Sequence, residues 1–101
     1  MSSRRRLKVV AFCGHGMGTV FLMKMLTESV MKELGFEVEV VPANIVTIAG
    51  YAMDADLIVT STHLAESIAH IDKPKVLLDN LVDKEHAKER FVEVLKKLGY
   101  L

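Results

Sequence analysis

The chain has no tryptophan and a single cysteine, Cys13. One thiol excludes an internal disulfide, and it excludes a C-x-x-C redox pair. A free thiol fits a reduced, cytosolic setting. Charge of either sign is not in excess, since 13 Lys and Arg face 13 Asp and Glu for a net charge of +0. That balance leaves no electrostatic footprint for nucleic acid. No apolar run approaches the roughly 18 residues of a membrane span. The start is basic but lacks the apolar core and cleavage site of a signal peptide. Direct membrane insertion is therefore not expected, and a membrane role would pass through a partner. No pair of histidines or carboxylates has metal-ligand spacing, and a lone thiol is poor evidence for zinc. Neither a metal nor a cofactor is expected.

What is present is concentrated near the N-terminus. Cys13-Gly14-His15-Gly16-Met17-Gly18-Thr19 follows an apolar run, Leu7 to Phe12, and precedes a helical pattern from Thr19 to Leu34. Strand, glycine-rich loop and helix N-terminus make an anion site, because free backbone N–H groups converge and the helix dipole adds positive potential. Gly14, Gly16 and Gly18 allow the close backbone approach and positive φ such a loop needs. A thiol as its first residue adds a nucleophile. A free cysteine titrates near about 8.5. Lowering that by roughly two units, about 2.7 kcal/mol, makes it mostly thiolate. The chemistry expected is a phosphoryl group carried on Cys13 and held by Gly14 to Thr19. The plain alternative is a small core cysteine followed by a tight turn.

The rest of the chain reads in order. Residues 1–6, with Arg4-Arg5-Arg6, form a disordered basic extension, and 7–101 form one domain. Half the residues are hydrophobic, enough for one core at this size. The first helix should bury Val20, Met23, Leu26, Thr27, Val30 and Leu34, with Thr19 helping to cap it and Gly35 ending it. Met17, Phe21 and Met25 fall on its other side, beside the thiol. They form a partner-docking surface, unless the helix is buried more broadly. Phe36 to Val41, with alternating glutamates, reads as an edge strand that Pro42 terminates. Asn44 caps a short helix carrying Ile45, Ile48, Ala49 and Ala52. Asp56 to Ser61 is a third strand, Leu64 to Ala69 a short helix, and Pro74 to Asp79 a fourth strand. A last helix from Asp83 to Leu98 turns Ala87, Phe91, Val94, Leu95 and Leu98 inward, with Gly99 as its stop.

This alternation predicts an α/β fold, a four-stranded parallel sheet of order 2-1-3-4 with helices on both faces. The arrangement is flavodoxin-like or Rossmann-like, similar to that of low-molecular-weight phosphatases. Ligands of such sheets bind beyond the carboxyl ends of the strands, at the switch point between strands one and three. Cys13 ends strand one, and Ser61, Thr62 and His63 end strand three, so the two loops should share a crevice. Thr62 and His63 are then second-loop contacts. His63 could instead cap the short third helix. His15 either contacts the phosphoryl group or is an outward-pointing spacer. His70 and His86 read as surface residues.

Three other readings fit less well. A dinucleotide fingerprint needs G-x-G-x-x-G, and the glycines here are spaced evenly. A thioredoxin site needs a second cysteine. A phosphatase loop C-x5-R needs an arginine where Thr19 stands. That arginine would clamp the equatorial oxygens and promote attack by water. Its absence favours carrying a phosphoryl group over hydrolysing it. A hydrolase, or a non-catalytic anion-binding or thiol-sensing module, remains the alternative.

From Lys8 to Leu98 the sequence resembles the IIB components of the bacterial phosphoenolpyruvate-dependent sugar phosphotransferase system, in the ascorbate and galactitol group. The likeness is sharpest in Cys13 to Thr19, in Met23-Lys24-Met25 and in Ser61-Thr62-His63-Leu64-Ala65, and the last two are most like ascorbate-type members. Val20 stands where the family often has a small hydroxyl residue, and His15 where a smaller polar residue is common. The resemblance implies a phosphotransferase that forms a phosphocysteine. Phosphohistidine of a IIA partner would phosphorylate Cys13, and the group would pass to a sugar, L-ascorbate first and galactitol next, presented by a membrane-embedded IIC partner. It also implies a cytoplasmic protein that meets the membrane through IIC.

Overall fold

Alternating apolar runs and helical stripes build a four-stranded sheet covered on both faces. The structure, a computed structural model, describes residues 6–12 and 17–101, with the backbone alone for Met17 and Gly18. Cys13, Gly14, His15 and Gly16 lie outside the described residues, as do residues 1–5 of the basic extension. The elements are β1 (Arg6–Phe12), α1 (Met17–Glu33), β2 (Glu37–Ala43), α2 (Ile48–Ala52), β3 (Leu57–Ser61), a 3-10 segment (Thr62–Ile68), β4 (Lys75–Leu78) and α3 (Lys84–Leu98). The strand order is β2-β1-β3-β4 and every pairing is parallel. Fold class and strand order are as the patterning predicts.

Two cores result, one on each face. Leu7, Val9 and Ala11 of β1 join Leu57 and Val59 of β3 against Val20, Met23, Val30 and Met31 of α1 and Ala87, Phe91 and Leu95 of α3. Val10, Phe12 and Ile58 point the other way, into Ile48 and Ala52 of α2 and Ile68 of the 3-10 segment. The period of two along each strand sends successive side chains to opposite faces, so both faces must be apolar.

Both long helices end in the same way. Gly35 and Gly99 each take φ +88. The N–H of Phe36 donates to the Met31 carbonyl and that of Gly35 to Lys32; Tyr100 donates to Leu95 and Gly99 to Lys96. This is the Schellman pattern, which satisfies the last carbonyls and favours glycine at its left-handed position. The residues after the two glycines then meet, with the rings of Phe36 and Tyr100 edge to face at 6.3 Å. Glu33 near the end of α1 is ion-paired with Lys84 and Lys88 at the start of α3.

Several local expectations need correction. Arg6 belongs to β1, paired with Glu37, and not to a disordered extension. Thr19 lies inside α1, which starts two residues earlier, so it is not a cap. Pro42 does not end its strand: it pairs with Ala11, and Ala43 pairs with Phe12. The strand is at the sheet edge, where a missing N–H is tolerated. Asn44 makes a turn ahead of α2, its side-chain oxygen accepting from the N–H groups of Val46 and Thr47. Ile45 and Ala49 are exposed, leaving Ile48 and Ala52 as the buried pair. Leu98, expected inside, is 40% exposed. The third helix is a 3-10 segment that begins at Thr62, two residues before the expected start.

Thr27 of α1 is fully buried, and its hydroxyl has no hydrogen-bond partner among the described residues. A buried, unsatisfied hydroxyl costs about 1–3 kcal/mol. Thr27→Val keeps the shape and removes that group, so it is expected to raise the melting temperature by a few degrees, roughly 4–8 °C per kcal/mol gained. Thermal denaturation beside the wild type checks this, and an unchanged or lower midpoint contradicts it.

Candidate functional site

The carboxyl ends of the four parallel strands lie along one edge, and Thr62 and His63 follow β3 there. β1 ends at Phe12 and α1 begins at Met17, so four residues, 13–16, join them. β1 is flanked by β2 on one side and β3 on the other. It is the strand from which the chain leaves in both directions, the switch point where α/β sheets bind ligands.

The end of β1 is held from β3. Thr60 pairs with Phe12 in register, and its hydroxyl donates to the Phe12 carbonyl at 3.0 Å. Thr60 is fully buried. The carbonyl it holds belongs to the peptide bond that leads into Cys13. A valine would fit the strand equally well, so the hydroxyl is informative. The sequence pattern singles out Ser61 onwards and misses it.

Next along the edge are Ser61, Thr62 and His63. Ser61 Oγ and His63 Nδ1 are 2.9 Å apart, a hydrogen bond that ties the ring back to the end of β3. Thr62 and His63 are exposed. The Thr62 hydroxyl donates to Asp79 Oδ1 at 2.5 Å. Asp79 is the first residue after β4, and it gathers two groups from α3. Its Oδ2 is 3.3 Å from Arg90 Nη2, and its backbone N–H donates to His86 Nε2 at 3.1 Å. The Asp79 carboxyl is held below its ordinary range, first by the Thr62 hydroxyl and then by the Arg90 guanidinium. His86 was expected to be a free surface residue, but its side chain is 20% exposed and accepts the Asp79 N–H. His70 is exposed, as expected.

Asp79, His86 and Arg90 were not singled out from the sequence. One signal was available, because Asp79 follows a parallel strand as Cys13 and Thr62 do. Inspecting every residue that follows a strand would have found it.

On α1, Phe21 is 49% and Met25 65% exposed, as the helical spacing predicts. Leu22, 49% exposed, joins them unannounced. Met17 is in the first turn of the helix, and its side chain lies outside the described residues. Gly18 and Thr19 share that turn, and Thr19 is exposed. Among the described residues no group of three or more His, Cys, Asp or Glu could hold a metal ion.

The model of the family described as the lactose/cellobiose-specific IIB subunit of the phosphotransferase system (PTS) matches residues 8–93. The chain belongs to the PTS IIB family. A curated relative, the ascorbate-specific PTS system EIIB component of Mycoplasma pneumoniae, is 35% identical over 92 residues, covering 90% of this chain and 97% of that one. The solution structure of an Enzyme IIB subunit of the PTS from Escherichia coli K12 superposes with a TM-score of 0.58 at 17% identity, over 94% of each chain. A second solution structure, of a protein described as uncharacterized, gives a TM-score of 0.55 at 10% identity over 97% of this chain and 99% of that one. These two structural likenesses concern the fold. IIB membership makes the chain a component of a sugar phosphotransferase system, with phosphotransferase activity in the general sense. The family description and the curated relative name different sugars. Among the described residues no helix is long and apolar enough to cross a membrane.

Proposed function

We propose that this IIB protein is a phosphoryl carrier in which Cys13 takes the group from a phosphohistidine of IIA and gives it to a sugar entering through IIC. One observation carries the reading: in the sequence, the only thiol of the chain directly follows the strand at the sheet's switch point and stands four positions before the first residue of a helix. Gly14 to Thr19 supply the backbone donors that hold the phosphoryl oxygens, and the Thr62–His63 segment flanks them. Residues 7–101 act as one IIB domain, in the cytoplasm, meeting the inner face of the membrane through IIC. L-Ascorbate is the substrate favoured by the curated relative.

The chemistry follows from the loop. In the first step the Cys13 thiolate attacks phosphorus as the histidine nitrogen departs, with N–H groups stabilising the equatorial oxygens. In the second the sugar hydroxyl attacks and the thiolate leaves. No arginine occurs between Cys13 and Thr19, so nothing in the loop copies the clamp by which a phosphatase promotes hydrolysis.

The test is intact mass after incubation with phosphoenolpyruvate, the general phosphotransferase components and a IIA protein. One phosphoryl group added rapidly to the wild type is expected, against at most slow uptake by Cys13→Ser that is not passed on to a sugar. No gain with several IIA proteins, together with turnover of an aryl phosphate, would favour a hydrolase.

Phe21, Leu22 and Met25 form the face that IIA covers. Phe21→Glu is expected to change stability by no more than about 0.5 kcal/mol, the usual range for an exposed site. It should slow phosphoryl arrival from IIA by about tenfold, mostly through a raised KM, because a desolvated interface rejects a charge. Stopped transfer assays at several IIA concentrations read this. A normal KM would remove Phe21 from the interface.

A further inference from the structure

Asp79, just after β4, is where the 3-10 segment and α3 meet. Its Oδ1 accepts from Thr62, the first residue of the 3-10 segment, at 2.5 Å. Its Oδ2 accepts from Arg90 at 3.3 Å. Its backbone N–H is bonded to His86 Nε2. Both carboxylate oxygens are thus engaged, each by a different element. We propose that Asp79 is a positioning residue for phosphoryl transfer: by holding the Thr62 hydroxyl it fixes the Ser61–His63 segment beside the end of β1. The inference rests on the carrier reading above and deepens it.

Proton counting supports this role. An ionised carboxylate only accepts, so Thr62 is the donor, and a hydroxyl has one proton to give. In this arrangement Thr62 cannot also donate its side-chain proton to a phosphoryl oxygen. Its hydroxyl therefore serves to anchor the segment. The segment is anchored at its other side as well, since Thr60, which precedes Ser61, is bonded to the Phe12 carbonyl. Ser61 holds the His63 ring at 2.9 Å. One continuous chain of bonds then runs from the last peptide of β1, through residues 60–63, to Asp79 and α3.

Charge gives the second argument. A lone carboxylate near a phosphoryl dianion would repel it. Arg90, which also lies 3.9 Å from Glu93, offsets the Asp79 charge where it stands, so the anchor presents less negative charge to this edge than a lone carboxylate would. Asp79 and Arg90 are both substantially exposed, with side-chain exposures of 55% and 43%. Exposed ion pairs contribute little to global stability. A measurable loss of transfer without loss of stability is therefore what separates positioning from a merely structural role.

The experiment uses the full chain in five forms: wild type, Thr62→Val, Thr62→Ser, Asp79→Asn and the double variant Thr62→Val/Asp79→Asn. Phosphoryl arrival from a phosphorylated IIA protein is followed by quenched intact mass, giving kcat and KM, and melting temperatures are recorded in parallel. Thr62→Val should lower kcat by about tenfold with little change in KM, as expected when a reacting geometry loosens, whereas Asp79→Asn, whose amide oxygen still accepts from Thr62 while its amide nitrogen faces Arg90, should lower it less. Thr62→Ser, which keeps the hydroxyl, should restore most of the rate. The double variant should be no slower than Thr62→Val, because the loss of the hydroxyl already cuts the link that Asp79→Asn weakens. Unfolding is not expected at exposed Thr62, so the Val and Ser pair decides the matter even if Asp79→Asn folds poorly. A kcat for Thr62→Val within twofold of wild type overturns the proposal. So does a serine variant as slow as the valine one, or losses that multiply in the double variant. Failure of the wild type itself to take up a phosphoryl group would bring down the carrier reading along with this one. Uptake by the wild type and equal rates in all variants would bring down the positioning role alone.

Discussion

Cys13→Ser is expected to abolish onward phosphoryl transfer, by about a thousandfold or more, while the protein still folds. The fold should survive because every side chain of the two cores is left in place. Oxygen also replaces sulfur without a change in the number of heavy atoms. The melting temperature should stay within about 4 °C of wild type, the shift that corresponds to roughly 1 kcal/mol or less. The chemistry should fail for an asymmetric reason. A thiol ionises near about 8.5 unperturbed, and lower at a helix N-terminus. A serine hydroxyl is not appreciably ionised at neutral pH. As an acceptor, serine is a weak nucleophile without an adjacent base. As a donor it is worse, because the group expelled would be an alkoxide and not a stabilised thiolate. The donating step should therefore suffer more than the accepting step, and a slowly formed, long-lived phosphoserine is the signature to look for. Intact mass reads the first step and appearance of phosphorylated sugar reads the second. Sugar phosphorylation by the serine variant at a rate near wild type would falsify the phosphocysteine mechanism.

Much of this arrangement was legible because it depends on local pattern. The apolar centres of β1, β3 and β4 separated by helical stripes leave few options besides a parallel sheet covered on both faces. The order 2-1-3-4 then places Phe12, the end of β1, beside Thr60 of β3. What was not legible depends on contacts across long stretches of chain. Thr62 and Asp79 are 17 residues apart, and Thr60 and Phe12 are 48 apart. No spacing rule encodes such pairs. Boundary errors have simpler causes. Thr19 looked like a cap because it has the right side chain, yet α1 is already under way at Met17. Pro42 looked like a stop, but an edge strand tolerates a residue that cannot donate on one side. Met31, fully buried, lies only about 20° from Val20 around the helix and belonged to the core stripe. Leu98 falls on the inward stripe of α3 but is its last residue, and it stays 40% exposed there.

Phe91→Ala should destabilise the fold by about 3–5 kcal/mol, far more than Phe21→Glu, Thr62→Val or Cys13→Ser. Phe91 is on α3 and has no exposed surface. It belongs to the larger core, with Val76 and Leu78 of β4 and Met23, Val30 and Met31 of α1. Removing its ring forfeits the transfer energy of the side chain and leaves a cavity that three rigid elements cannot readily close. For a domain with about 5–15 kcal/mol in hand, the change consumes a large fraction of the total. At roughly 4–8 °C per kcal/mol, the midpoint should drop by about 12 °C or more. Phe21 supplies the internal contrast: it is the same residue type on a helix of the same face, but it is 49% exposed and outside the core. Its replacement by glutamate should barely move the midpoint. The contrast also bears on the strand edge. Arg90 adjoins Phe91 in the chain and His86 lies one turn before Arg90. Both reach Asp79 from α3. The docking of Phe91 is therefore what sets the distance from α3 to the Thr62 anchor. A Phe91→Ala protein that melted within a few degrees of wild type would mean that α3 is not packed on this face. The source of the Asp79 brace would then have to be sought elsewhere. A large drop, with Thr62→Val and Asp79→Asn still melting near wild type, would separate the residue that holds the helix from the residues that use its position.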